Sequence, residues 1–89
     1  MRPDTNELIN VSYKLLSLIY DNQVTLQGET YCPLSQQELS DMMGMTRATI
    51  NTHLTKLREL GLLEDDVGKS KKYILTDRAI QIVEKLDKI

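Results

Sequence analysis

Tryptophan and phenylalanine are absent from this 89-residue chain, and its four tyrosines are the only aromatics. Any core must therefore be built from Leu, Ile, Val and Met. The single cysteine, Cys32, excludes an intrachain disulfide and fits a reducing, cytoplasmic compartment. With one histidine beside it, no metal site and no nucleophile–base pair is expected, so the chain reads as neither an enzyme nor a cofactor binder. No stretch approaches the ~18 apolar residues of a membrane span, and Met1-Arg2-Pro3-Asp4 does not open a signal peptide. Low-complexity tracts and internal repeats are also missing.

What is present suits one soluble domain: 40% hydrophobic and 27% charged residues in a length that buries one modest core. The net charge of −2 is unevenly spread. Residues 1–45 carry two basic and six acidic side chains, whereas residues 46–72 carry six basic and four acidic ones. The basic surplus is small, but it sits in the middle of the chain, where it marks a weak electrostatic footprint.

Periodicity and punctuation divide the chain further. A first helix is expected over 5–21, begun by Pro3 with Asp4 or Thr5. Leu8, Val11, Leu15 and Leu18 form its stripe, and Ile9, Leu16 and Tyr20 widen it beyond the usual face. "DNQVTLQGET" reads as a polar connection, and Tyr31–Leu34 as at most a short edge strand, because Pro33 has no amide to donate. Ser35-Gln36-Gln37-Glu38 is a capping box that opens a short helix presenting Leu39, Met42 and Met43. Met42, Met43 and Met45 are expected to fill the core around a turn ended by left-handed Gly44. Thr46 caps a second helix, on which Ile50, Leu54 and Leu57 share roughly 60° of arc, and Gly61 stops it. Leu62–Glu64 and Lys72–Leu75 read as a hairpin with Gly68 in the turn. Thr76 or Asp77 caps a last amphipathic helix, over 76–88, carrying Ala79, Ile82, Val83 and Leu86.

Two helices joined by a glycine turn, then a hairpin, make a winged helix-turn-helix: a mainly α fold with a small β-hairpin wing, over 1–89 as a single domain. The units are the helix-turn-helix at 35–60 and the wing at 62–75. "LSQQELSDMMGMTRATINTHLTKLRELGLLE" resembles the winged helix-turn-helix of bacterial transcription regulators, most closely the DNA-binding domains of the Crp/Fnr type. "YILTDRAIQIVEKL" is similar to the strand-to-helix ending of that group and of MarR-type regulators. Together they span roughly 34–88. Ser40, Gly44, Ile50 and the "LxxLxxxGLL" run from Leu54 carry the likeness. Two departures stand out: Ser40 where Ala is usual, and His53 where an apolar residue is common. A partly buried His53 with a backbone partner is expected, loosening the packing of the two helices.

The resemblance implies sequence-specific binding of double-stranded DNA, with the second helix (46–60) in the major groove. Projection at about 100° per residue places Arg47, Ala48, Asn51, Thr52 and Thr55 opposite the apolar face, with Thr49 at its boundary. Arg reads guanine O6 and N7 and Asn reads adenine N6 and N7; a threonine hydroxyl reaches phosphate or base, and its methyl meets that of thymine. Thr46 and Lys56 complete the candidate set on this helix. Wing residues Lys69, Ser70, Lys71 and Lys72 are expected over 65–72 against the backbone, beside Glu64, Asp65 and Asp66. "GKS" at Gly68–Ser70 is not a phosphate loop, since the spacing and the hairpin context are both wrong.

Surplus apolar positions, including Ile80 and Ile89 off the last helix's main stripe, point to a homodimer through the first and last helices. The chain is expected to be either a small stand-alone repressor or the DNA-binding end of a longer regulator. A winged protein–protein adaptor, favoured by the pI near 5.3, and a plasmid or phage replication-initiation module are the alternatives.

Overall fold

The protein is described here from a computed structural model that covers residues 3–64 and 73–87, with the backbone alone for residues 3–10 and 86–87. Four helices and one two-stranded antiparallel sheet follow one another: α1 (Pro3–Asp21), β1 (Val24–Leu26), β2 (Glu29–Tyr31), α2 (Gln36–Met43), α3 (Arg47–Glu59) and α4 (Asp77–Asp87).

The connection after α1 is not irregular, contrary to expectation. Val24 pairs with Tyr31, Thr25 with Thr30 and Leu26 with Glu29, closed by a two-residue turn at Gln27 (φ 54°) and Gly28 (φ 80°). Two successive positive φ values define the type I′ turn, whose twist suits a tight hairpin. Its polar and exposed residues hide the strand signal, yet "VTLQGETY" holds two β-prone triplets around a glycine-containing pair.

Beyond β2 the chain passes to the last part of the fold. The Cys32 amide donates to the Tyr73 carbonyl at 2.8 Å, and the Tyr73 amide donates back at 3.2 Å. The Glu64 amide donates to Ile74 at 2.8 Å and the Thr76 amide to Leu62 at 3.1 Å, around the bridge of Leu63 with Leu75. The base of the expected wing is thus paired antiparallel through isolated bridges. Its tip, with Lys69, Ser70, Lys71 and Lys72, lies outside the described residues.

Leu15, Leu16 and Ile19 of α1, Cys32, Leu39 of α2, Ile50, Leu54 and Leu57 of α3, Leu62, Leu63, Leu75, and Ala79 and Val83 of α4 form one buried core. α1 packs on both α3 and α4, which explains why its apolar face is wider than one stripe. The Tyr20 hydroxyl also donates to Glu84 Oε2 at 2.8 Å, tying α1 to α4 at the surface.

Met42 is 54% exposed, so it does not fill the core as expected, while Met43 and Met45 are half-buried against it. The geometry of α2 explains the difference. Its buried arc is centred between Leu39 and Ser40, and Met43 falls within it, whereas Met42 lies about 110° away.

Candidate nucleic-acid interface

The two helices of the motif are set by their ends. Ser35 Oγ accepts from the Glu38 amide at 3.0 Å, and Glu38 Oε1 accepts from the Ser35 amide at 2.8 Å, completing the capping box. At the other end of α2, Gly44 adopts φ 69°. The Gly44 amide donates to Asp41 at 3.3 Å and the Met45 amide to Ser40 at 3.0 Å, the paired bonds of a Schellman ending. The buried Ser40 hydroxyl donates to the Met45 carbonyl and closes the turn from inside. α3 ends in the same way: Gly61 (φ 75°) donates to Arg58 at 3.0 Å and Leu62 to Leu57 at 2.9 Å.

α3 buries Ile50, His53, Leu54 and Leu57, the i, i+3, i+4, i+7 stripe of an amphipathic helix. His53 belongs to this stripe and is 4% exposed, more deeply buried than expected. Its partner is not a backbone group. His53 Nδ1 lies 2.9 Å from Ser12 Oγ of α1, so the ring ties α3 to α1. A buried imidazole needs a hydrogen-bond partner, and the small Ser12 on a facing helix supplies one without taking space from the core.

The opposite face of α3 is open. Thr46, Arg47, Ala48, Thr49, Asn51, Thr52, Thr55 and Lys56 are all exposed, so the helical candidates gather on one continuous surface. Asn51, Thr52, Thr55, Lys56 and Glu59 border a depression that also reaches His53.

Thr46, Thr49 and Thr52 are engaged within the helix. Thr46 Oγ1 accepts from the Thr49 amide at 3.2 Å as the cap and donates to Thr49 Oγ1 at 3.0 Å. Thr52 Oγ1 donates to the Ala48 carbonyl at 3.1 Å. Gln36 joins the site without an announcement in the sequence pattern: its Nε2 donates to the Arg47 carbonyl at 3.3 Å, linking the start of α2 to the start of α3. The only available signal is its place directly after the Ser35 cap.

Behind the interface, burial raises the Tyr73 phenol above its ordinary 10.0, with the Arg58 guanidinium opposing that rise more than Arg47 does. Burial likewise raises the Cys32 thiol above 9.0, partly offset by a backbone hydrogen bond at Leu34. Both groups keep their protons at neutral pH and bring no negative charge to this face. Among the described residues, no cluster of His, Cys, Asp and Glu could hold a metal ion, and no helix is long and apolar enough to cross a membrane.

A Crp-like helix-turn-helix domain model matches residues 11–80. The chain belongs to this family. Its winged helix-turn-helix fold is shared with the reduced (Fe(II)) CO-sensing protein from R. rubrum at a TM-score of 0.74 and 14% identity. That match covers 89% of this chain and 37% of the other. Reduced CprK in the absence of any ligand is similar at a TM-score of 0.54 and 18% identity, over 89% of this chain and 36% of that one. The chain therefore spans little more than a third of either solved relative. No curated protein matches the sequence. Membership of the Crp-like family supports DNA binding and transcription regulation as the function of this domain.

Proposed function

We propose that this Crp-like domain binds double-stranded DNA sequence-specifically, with α3 in the major groove and the wing residues of 65–72 along the backbone. One observation carries the reading: the face of α3 opposite its buried stripe exposes Arg47 and Asn51 among short side chains. Long Glu and Lys side chains would hold a helix away from base edges, whereas Ala and Thr let it approach. Arg47 and Asn51 are the base readers and Lys56 is placed for phosphate, while Thr46 holds the first turn of the helix that carries them. Lys69, Ser70, Lys71 and Lys72 supply wing contacts in the same reading.

The domain acts without catalysis and in the cytoplasm, where its DNA is. Two copies pair through α1 and α4, since Leu18, Ile80 and Ile82 remain only half-buried there and half-site recognition needs two recognition helices. Repression follows most simply from a dimer occupying its operator. The likeness of Tyr73–Leu86 to a MarR-type ending adds nothing to this reading.

Selection from a random-duplex library, followed by salt titration on the enriched sequence, tests it. The expected result is a pseudo-palindromic site lost on Arg47→Ala and on Asn51→Ala, with a log–log salt slope of about −0.9 per phosphate contacted. No enriched sequence, with only weak binding at low salt, would overturn the reading in favour of a protein–protein adaptor.

A further inference from the structure

Ala48, Thr52 and Thr55 follow one another at i, i+4 and i+7, so they form one stripe along the exposed face of α3. Arg47 and Asn51 form the parallel stripe beside it. A threonine stripe could serve DNA through hydroxyls or through methyls, and the hydrogen bonds within α3 separate these roles. The Thr52 hydroxyl proton is given to the Ala48 carbonyl at 3.1 Å. The Thr46 hydroxyl proton is given to Thr49 Oγ1, and a Thr46 lone pair is taken by the Thr49 amide. Neither Thr46 nor Thr52 retains a proton to donate outward. With its hydroxyl proton committed within the helix, the exposed Thr52 has its Cγ2 methyl left to offer a base. Ala48 has nothing but a methyl to offer.

From this surface we infer that α3 reads thymine C5-methyl groups through the methyls of Ala48 and Thr52, in register with hydrogen-bonded bases read by Arg47 and Asn51. The inference rests on the proposed DNA binding and names what the helix discriminates. The C5 methyl is the feature of thymine that protrudes into the major groove, and apolar contact with it is a recognised form of base readout. Thymines are therefore expected within each half-site, at steps adjacent to the base pairs that Arg47 and Asn51 contact. Thr52 is the specificity-determining residue with the clearest assignment, because its hydroxyl is already used.

Deoxyuridine tests this directly, since it removes only the C5 methyl and leaves pairing and groove hydrogen bonds unchanged. Each thymine of the selected duplex is replaced singly by deoxyuridine and affinity is measured with the full chain. The thymine facing Thr52 should lose about fourfold in affinity, the equivalent of ~0.8 kcal/mol for one buried methyl-sized group. Thr52→Ser removes the protein methyl and keeps the hydroxyl that bonds Ala48. With that variant, thymine and deoxyuridine at this position should bind equally, while Lys56→Ala should retain the discrimination on a weakened background. Equal binding of thymine and deoxyuridine at every position by the parent protein overturns the inference and leaves DNA binding standing. A deoxyuridine penalty undiminished by Thr52→Ser overturns the assignment to Thr52. Failure to bind any duplex overturns the inference together with the function it rests on.

Discussion

Ser12 Oγ and His53 Nδ1 meet 2.9 Å apart in the interior, joining α1 to the buried face of α3 across 41 residues of sequence. The pair holds α3 by a directional bond, where apolar contacts alone would permit small rotations. Either partner left alone becomes a buried polar group without its bond. Ser12→Ala and His53→Leu are each expected to destabilise the fold by about 1–3 kcal/mol. The double variant should cost less than the two singles together, because it leaves no orphan. Urea unfolding of all four proteins checks this, and additive losses would show that the bond contributes nothing.

Thr46 gives α3 its first turn, and loss of its oxygen leaves the Thr49 amide unpaired. Thr46→Ala should lower stability by about 1 kcal/mol. Thr46→Asp should keep the cap and stability but weaken DNA binding, because it brings a negative charge to the end of α3 that the proposed docking sets near phosphates. Chemical denaturation and duplex titration separate the two effects.

The turn between α2 and α3 depends on Gly44 at φ 69°, where an added Cβ meets nothing within 4 Å. Only backbone strain therefore opposes a substitution. Gly44→Ala is expected to cost about 1–2 kcal/mol. Gly44→Asn should cost less, since asparagine tolerates the left-handed region. A greater loss with Asn than with Ala in thermal unfolding would refute the strain argument.

Burial raises both Cys32 and Tyr73 above their ordinary 9.0 and 10.0, so in alkali the unfolded chain loses these protons first. Stability is therefore complete below the unfolded-state values and falls as pH rises through the folded-state ones. Urea midpoints should be flat from near neutrality to about pH 8.5 and decline above about pH 9. Cys32→Ala should make the first part of that decline shallower. An increase in stability over the same range would contradict the burial of both groups.

Lys56 stands on the exposed face of α3, toward its C-terminal half, and in the proposed docking it meets phosphate and not base edges. Lys56→Ala should weaken all duplexes alike and reduce the magnitude of the salt slope by about 0.9, whereas Arg47→Ala should relax sequence preference. Affinities measured across several salt concentrations on specific and random duplexes decide this.

Local patterns in the chain were enough for much of the fold and for which residues α3 leaves exposed. The capping box at Ser35–Glu38, the glycines at 44 and 61 and the Thr46 cap are local codes, formed among residues a few positions apart. The Ile50–Leu54–Leu57 stripe likewise determines which side of α3 faces inward, and thereby which residues are left outside. Positions that depend on distant partners were not legible in this way. Met42 is as hydrophobic as Met43, and its exposure follows from which arc of α2 the fold turns inward. His53 looks misplaced until Ser12 of another helix is brought to it. β1 and β2 are short and mostly exposed, so they carry too little burial pattern to announce a hairpin.

By itself, the sequence determined the helix-turn-helix and the composition of its outer face, because helix ends and helix faces are set by neighbours along the chain. Only the tertiary structure decided the partner of His53, the double packing of α1 on α3 and α4, and the pairing of Cys32 with Tyr73. Those relationships join residues far apart in the chain, and local propensity contains no term for them. The roles of the threonines fall between: their spacing is sequence, but which of their groups stays free is decided by hydrogen bonds that only the folded helix forms.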